Sequence, residues 1–299
     1  MLEQIRYGGW NNCYRLANDV VDLIVTADVG PRIIRFGFLD QVNMFKEFSD
    51  QLGKTQGDQW LPFGGHRLWH APEAKPRTYY PDREPVLVQE LQDGVVVTQK
   101  PEVTTGIQKQ IEIRLAPDKA EVYLSQRLFN HNIWTIETAP WAITVMNQGG
   151  TAILPLPPRG PHPENLVPDC SISIWPYTNL ADPRLILGEK FILIKQDPTK
   201  NTPQKIGIFT SRGWSAYYNH GFLFTKHVPI QIDGFYPDRG ANFEVFTNDE
   251  ILELETLGPI EPIPPRGHIE LQEHWTLNQN IPSIEKEADV EQVLSGLES

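Results

Sequence analysis

The sequence predicts a large all-β protein, and three observations carry that expectation. Proline is abundant, with 26 in 299 residues, against roughly 15 at the usual frequency of about 5%. The segments between prolines are short and alternate apolar with polar residues, as Ile107 to Leu115 and Glu121 to Phe129 do, which is the period of a half-buried strand. Helical periodicity, by contrast, is scarce.

Taken in order, the expected strands are Val20 to Val25, Arg32 to Phe38, Gly94 to Gln99, Ile107 to Leu115 and Glu121 to Phe129. Turn residues at Asp93-Gly94 and Pro117-Asp118 separate them. Further on come Ala142 to Met146, Ser171 to Trp175, Phe191 to Lys195, Lys205 to Thr210, Asn242 to Phe246, Ile251 to Thr256 and His268 to Leu277. So many short strands call for a large sandwich. Phe45, Phe48 and Leu52 ahead of Gly53 suggest one short helix, and Asp289-Val-Glu-Gln292 suggests a capping box opening a C-terminal one. The proline-rich stretch Pro155 to Pro168 reads as a long loop, because β-rich sequence of unchanged composition flanks it. The expected organisation is one sandwich domain over 1–280 and a tail over 281–299 carrying the helix.

Composition narrows the partners. With 38 acidic and 26 basic residues the formal charge is −12, and no Lys/Arg cluster is present to neutralise phosphates, so neither nucleic acid nor an anionic membrane surface is an expected partner. No apolar run reaches the roughly 18 residues of a membrane span. The start, Met-Leu-Glu-Gln-Ile-Arg, lacks the features of a secretory signal, and a cytoplasmic location is the expectation. Cys13 and Cys170 are the two cysteines, too few for a disulfide framework, and they read as packing residues. Nothing in the sequence sets an oligomeric state.

Three segments are dense in groups that sugars need. In Leu61-Pro-Phe-Gly-Gly-His-Arg-Leu-Trp-His-Ala-Pro-Glu73, His66, Arg67, Trp69, His70 and Glu73 gather beside a flexible Gly64-Gly65 pair. An aromatic face takes the CH-rich side of a sugar ring while charged groups fix its hydroxyls. His66 and His70 have the spacing of a zinc pair, but Arg67 occupies the position of the usual glutamate and the flanking Gly and Pro oppose a helix, so no metal is expected. An ordered loop in which His70 merely satisfies the backbone explains that residue equally well. In Trp214 to His227, His220 falls at a turn and Lys226 on a strand rich in Phe, where a lysine needs a partner. In the third segment Glu244 lies between Phe243 and Phe246, a setting for a sequestered general base with a raised pKa. Glu253 and Glu255 alternate with Leu252 and Leu254 and so share one strand face, solvated or functional. No Gly-x-Ser-x-Gly elbow, phosphate loop or dinucleotide fingerprint occurs, and no cofactor is expected.

Several of these segments, in their order, resemble the galactose mutarotase-like superfamily. Leu23-Ile-Val-Thr-Ala-Asp-Val-Gly-Pro-Arg-Ile-Ile-Arg-Phe-Gly followed by Asn43-Met-Phe resembles its first hairpin, and Gly-Gly-His-Arg-Leu-Trp-His-Ala-Pro-Glu73 its arginine segment. Ala139-Pro-Trp-Ala-Ile-Thr-Val-Met146 is similar to its central strand. Phe243-Glu244-Val-Phe-Thr-Asn resembles the segment of the catalytic glutamate, and Pro265-Arg-Gly-His-Ile-Glu with Trp275 resembles the closing strands. The likeness is greatest to a bacterial branch sharing Gly-Gly-His-Arg-Leu-Trp and Leu-Glu-Leu-Glu-Thr-Leu-Gly-Pro. The resemblance implies a β-supersandwich of two large antiparallel sheets, a small-molecule sugar ligand and aldose 1-epimerase-like chemistry on a hexose or hexose derivative. It implies Glu244 as the catalytic general base and Arg67 as a sugar-contacting arginine; His66 and His70, or else His220 or Lys226, are the candidates for the acid, and Trp69, Glu73, Trp141, His220, Lys226 and Glu255 are further candidate substrate contacts. One departure stands out: the superfamily's characterised mutarotases protonate the ring oxygen with a central-strand histidine, and Pro140-Trp-Ala-Ile-Thr has none. A non-catalytic carbohydrate-binding or regulatory module is the competing expectation. His66, Arg67, Trp69 and Glu244 are expected to converge on one pocket.

Overall fold

The structure, a computed structural model, describes residues 1–297. Its strands form two antiparallel sheets. From edge to edge the first sheet orders Leu2–Tyr7, Trp10–Ala17, Val21–Thr26, Arg32–Phe38, Gly65–Ala71, Ile136–Met146, Leu252–Leu257, Phe243–Thr247, Gln204–Phe209 and Ser171–Ile174, with Glu261–Ile263 paired to the Ile136 end. The second orders Leu185–Leu187, Phe191–Lys195, Thr151–Pro155, Trp214–Asn219, Phe222–His227, His268–Asn278, Glu121–Asn130, Ile107–Leu115, Gly94–Thr98 and Leu87–Glu90.

The inner faces of the two sheets close on one apolar core. Leu68, Ala142, Phe243, Val245, Leu252 and Leu254 contribute from the first sheet, and Ile111, Ile113, Leu124, Phe224, Leu271 and Trp275 from the second. Strand alternation dictates this: every second residue points inward, and those positions carry aliphatic and aromatic side chains. Around Phe36, Phe45, Phe224 and Trp275, ring centroids lie 5.3–6.3 Å apart, the spacing of offset and edge-on aromatic packing.

Two local expectations are corrected. Phe45 to Leu52 is not a helix: Phe45 bridges Met146, Glu47 bridges Gly64, and Phe48 carbonyl accepts from the Gln51 and Leu52 amides in a turn. The i, i+3, i+7 spacing of its apolar side chains fits a helix face, but the bridges to Met146 and Gly64 tie the stretch to the sheet instead. The C-terminal helix runs Glu287–Leu297 and starts before the expected cap. Asp289 lies inside its first turn and accepts from the Glu285 and Lys286 amides, so it supplies the backward-reaching half of a capping arrangement. Val290 and Val293 bury this helix against Ile153, Phe191, Leu193 and Leu223 of the second sheet. No helix among the described residues is long and apolar enough to cross a membrane.

Candidate functional site

Gly65–Ala71, absent from the expected strands, is a fully buried strand at the middle of the first sheet. Its two glycines serve close approach. A Cβ at Gly64 would meet the Lys46 carbonyl oxygen at 1.9 Å, and one at Gly65 the Ile33 oxygen at 2.2 Å. Both have positive φ, at 98° and 68°, where side chains are disfavoured.

The strand's alternation splits the motif between two environments. Arg67 and Trp69 point to the outer face of the sheet, and His66, Leu68 and His70 point between the sheets. Register extends the outer face sideways. Arg67 pairs with Ile143, Ile143 with Glu255, Glu255 with Glu244 and Glu244 with Gly207, placing these side chains in one row across five strands. The next row holds Val145, Glu253, Phe246 and Lys205, and Trp69 faces Trp141 one step the other way. Leu252 and Leu254 take the inner face, so Glu253 and Glu255 share the outer one as the sequence suggested.

This face forms the floor of a cleft of about 610 Å3, lined by Trp60, Arg67, Trp69, Glu73, Tyr79, Trp141, Tyr177, Lys205, Glu250 and Glu253 among others. Its walls are aromatic: Trp69 centroids lie 5.2 Å from Trp60, 5.1 Å from Tyr79 and 5.4 Å from Trp141. The Arg67 guanidinium carbon sits 4.7 Å from the Trp69 centroid and 5.4 Å from that of Trp60, and its Nη2 donates to Glu253 Oε1 at 2.8 Å.

Under the cleft lies a charge cluster. The Lys205 ammonium contacts Glu244 Oε2 at 2.7 Å and Glu255 Oε2 at 2.9 Å, and Glu255 Oε2 also accepts from Trp141 Nε1 at 2.8 Å. Trp141 and Trp175 present ring faces to the ammonium at 4.9 and 4.8 Å. Gly207, across from Glu244, leaves the space that Trp175 occupies, 3.3 Å from where a Cβ would be. Burial pushes the Glu244 carboxyl well above its ordinary range; Lys205 opposes this, while Glu255 and Asp238 add to it. Glu255 is raised for the same first reason. Burial alone would lower the Lys205 ammonium, but the two carboxylates overcome it and hold the group well above its ordinary value. The two carboxylates therefore hold the lysine in its charged form, while burial disfavours the ionised form of Glu244.

The expected four-residue convergence is corrected in part. Arg67 and Trp69 line the cleft and Glu244 lies beneath it behind Lys205, but His66 faces the interior. His66 Nδ1 bonds Thr144 Oγ1 and Nε2 bonds Gln126 Oε1, both at 2.9 Å, and burial lowers its pKa to about 3. His70 is likewise fully buried on the inner face, with neither ring nitrogen hydrogen-bonded, and burial, with Lys109 and Arg77, holds it well below its usual value. Lys226 also points inward and pairs with Glu273 at 2.9 Å. His220 is exposed at the turn between Trp214–Asn219 and Phe222–His227, on the second sheet. Trp141 lines the cleft, Glu255 sits below it with Glu244, and Glu73 is at its rim, accepting from the Tyr79 hydroxyl. None of the three residues displaced to the interior reaches the cleft: His66 and His70 occupy the inward phase of their strand, and Lys226 comes from the second sheet.

Sequence reasoning missed Lys205, Trp60, Tyr79, Trp175 and Tyr177 as site residues. For Lys205 the signal was present: in Gln204-Lys-Ile-Gly-Ile-Phe209, Ile206 and Ile208 fix the inner phase and leave Lys205 and Gly207 on the outer one. The loop aromatics carried no local signal of this kind.

A second groove of similar volume lies on the other sheet, lined by Tyr123, Ser125, Arg212, His227 and His274 among others. Its His274 is stacked on Tyr123 at 4.5 Å and bonded to Glu121 at 3.3 Å, and none of Arg67, Trp69, Trp141, Glu244 and Glu255 reaches it. Among the described residues no group of three or more His, Cys, Asp or Glu side chains is arranged to hold a metal ion.

No protein-family model matches the chain. No curated protein matches it either. Solved structures do match over nearly its whole length. The chain is similar to the Slr1438 protein of Synechocystis sp. PCC 6803, at 10% identity over 93% of this chain and 99% of that one, with a TM-score of 0.60. It is similar to a galactose mutarotase-like protein of Lactobacillus casei at 8% identity, covering 89% and 100%, with a TM-score of 0.59. It is also similar to a galactose mutarotase related enzyme of Lactobacillus acidophilus at 9% identity, covering 92% and 100%, with a TM-score of 0.53. The chain has the galactose mutarotase-like fold, a β-supersandwich of two large antiparallel sheets.

Proposed function

We propose that this protein binds a hexose or hexose derivative in the cleft over Arg67, Trp69, Trp141 and Lys205, and that it interconverts anomers only slowly. The observation that carries the binding proposal is the cleft itself: a sugar-sized volume with aromatic walls and, at its floor, two cations held by carboxylates. Sugars are gripped by this combination, apolar ring faces against indoles and hydroxyls against charged groups.

Anomer interconversion needs a base to take the proton from the anomeric hydroxyl and an acid to protonate the ring oxygen, so that the C1–ring oxygen bond opens to an aldehyde and recloses. Glu244 is the base in this proposal and Lys205 the proton donor, since the two touch at 2.7 Å and the hydroxyl and ring oxygens share one carbon. Both are poorly tuned. An efficient acid has a pKa near the working pH, whereas Lys205 is held well above its already high ordinary value, and Glu244 is wholly buried. No histidine enters the cleft lining.

Saturation-transfer NMR against a panel of hexoses, with polarimetry on freshly dissolved α-anomers, tests both parts. Binding that weakens by roughly tenfold or more in Trp69→Ala, with anomer exchange barely above the spontaneous rate, is expected. Exchange at the rate of an efficient epimerase would overturn the slow-turnover proposal. Absence of binding to any sugar would overturn the proposal as a whole.

A further inference from the structure

Large apolar side chains are not spread evenly over the surface. Among the described residues, eight of the eighteen that are exposed fall within 166–187. This segment contains Ser171–Ile174, the last strand of the first sheet, and Leu185–Leu187, the last strand of the second. Hydrogen bonds hold the two edges at one end of the sandwich. Gln204, in the strand beside Ser171–Ile174, accepts from the Asn179 amide and donates to Asp182, and the Arg184 carbonyl accepts from the Lys195 amide of the second sheet. The proline-rich loop crosses the same end: its Arg159 pairs with Glu189 at 2.7 Å, close to Leu187 in the chain, and the loop then leads into Ser171–Ile174.

Strand phase makes this exposure unusual. Ile172 and Ile174 stand opposite Ile208 and Ile206, and Leu187 opposite Ile192, and all three partners are core residues. Directly opposed residues share a sheet face, so Ile172, Ile174 and Leu187 lie on the inner faces, yet they are 49%, 54% and 50% exposed. The inner apolar faces therefore run out past the end of the core. The strand edge is also unguarded. Ser171–Ile174 pairs on one side only and carries no charge, whereas Leu2–Tyr7, at the other edge of the same sheet, exposes Glu3 and Arg6. Charged edge residues are the usual guard against edge-to-edge pairing.

The occupant that fits is a second copy of the chain. Each copy carries −12, so two copies repel wherever their acidic groups meet. Within 170–187 the two charged residues, Asp182 and Arg184, are buried and paired with each other at 2.9 Å, which leaves this end neutral. An antiparallel pairing centred on Ser173 sets Ile172 opposite Ile174 of the partner subunit, as a two-fold interface requires, and carries the inner apolar face across the join. The area suffices. At about 200 Å2 for a large apolar residue, the eight roughly half-exposed residues offer on the order of 800 Å2, which is what each partner gives to a standard interface.

We propose that the protein forms a two-fold homodimer through this end, with Ser171–Ile174 paired to its counterpart and Leu166, Val167, Ile186 and Leu187 adding apolar contact. Sedimentation velocity of the full chain at micromolar concentrations is expected to give twice the mass of the chain, with or without sugar. Hydrogen exchange at the Ser171–Ile174 amides should slow as concentration rises. Ile172→Lys/Ile174→Lys should weaken association at least about a hundredfold, through lost apolar burial and like charges brought together. Its circular dichroism should match the wild type, because both positions are half exposed. Leu187→Lys, on the other sheet, should weaken association too and decides the matter if the double variant fails to fold. Ile133→Lys, at an apolar residue that is 88% exposed outside this segment, should leave the dimer intact. A wild-type monomer at every concentration, an assembly larger than a dimer, a dimer that survives the substitutions at 172, 174 and 187, or one that Ile133→Lys breaks equally would overturn the proposal.

Discussion

Replacing Lys205 by methionine tests the charge cluster directly, because methionine keeps much of the volume and removes the ammonium. In the wild type that ammonium serves two carboxylates with no solvent exposure, at 2.7 and 2.9 Å. Removing one partner from a buried ion pair costs about 3–5 kcal/mol, since the remaining charge is left uncompensated. Here two carboxylates are left, but burial already favours the neutral form of Glu244 and so lessens the penalty, and a loss near the lower end, about 3 kcal/mol at pH 7, is expected. The sign of its pH dependence follows from Glu244. A carboxyl whose folded pKa lies above its ordinary 4.5 binds its proton more tightly in the folded state. Its unfavourable contribution is therefore full above the folded pKa and is relieved as pH falls through that value toward the unfolded one. Without Lys205 both carboxyls rise further, so the deficit of the variant should shrink from pH 7 to pH 5. Urea unfolding followed by tryptophan fluorescence at the two pH values reads it. Lys205→Met/Glu244→Gln should regain at least about 1 kcal/mol at pH 7, the coupling expected between touching groups. A single-variant loss below about 1 kcal/mol that does not change with pH would refute the buried cluster.

Other outcomes follow from the same geometry. His66→Leu should lose about 1–3 kcal/mol at pH 7 by stranding Thr144 and Gln126, yet leave sugar affinity unchanged; weakened binding in a folded variant would place His66 at the site after all. Because folded His66 resists protonation down to about 3 while its ordinary value is 6.5, it makes the wild type less stable as pH falls through that window. The variant's stability curve should be flatter there, as urea midpoints from pH 7 to 4 would show. Trp69→Ala should weaken sugar binding by roughly tenfold or more through the lost ring face, measured by titration against the wild type. Chelator should leave the melting temperature unchanged within scan error, and a fall of many degrees would reveal a structural metal.

The fold was legible because strand pattern and segment order are both properties of the chain itself. Ile107–Leu115 and Arg32–Phe38 have the expected bounds, and the likeness of separate segments to one superfamily matched the fold seen in its solved members. Strands without alternation were harder. Gly65–Ala71 and most of Ile136–Met146 are buried on both faces near the centre of the sheet, so polarity does not alternate there and the first is missing from the expected strands. That single error governed the site. Once Gly65–Ala71 is a strand, Arg67 and Trp69 must part from His66 and His70, since a one-residue step reverses the face. Leu68, an aliphatic residue between the two histidines, marks their phase as the inward one. His66 then joins an interior polar layer with Gln126, Lys226 and Glu273, and His70 is buried with neither ring nitrogen hydrogen-bonded. The cleft, lacking them, is left with Lys205, which Glu244 and Glu255 hold well above its ordinary pKa. The missing central-strand histidine and the inward His66 and His70 thus have one common consequence, a cleft lining without an imidazole.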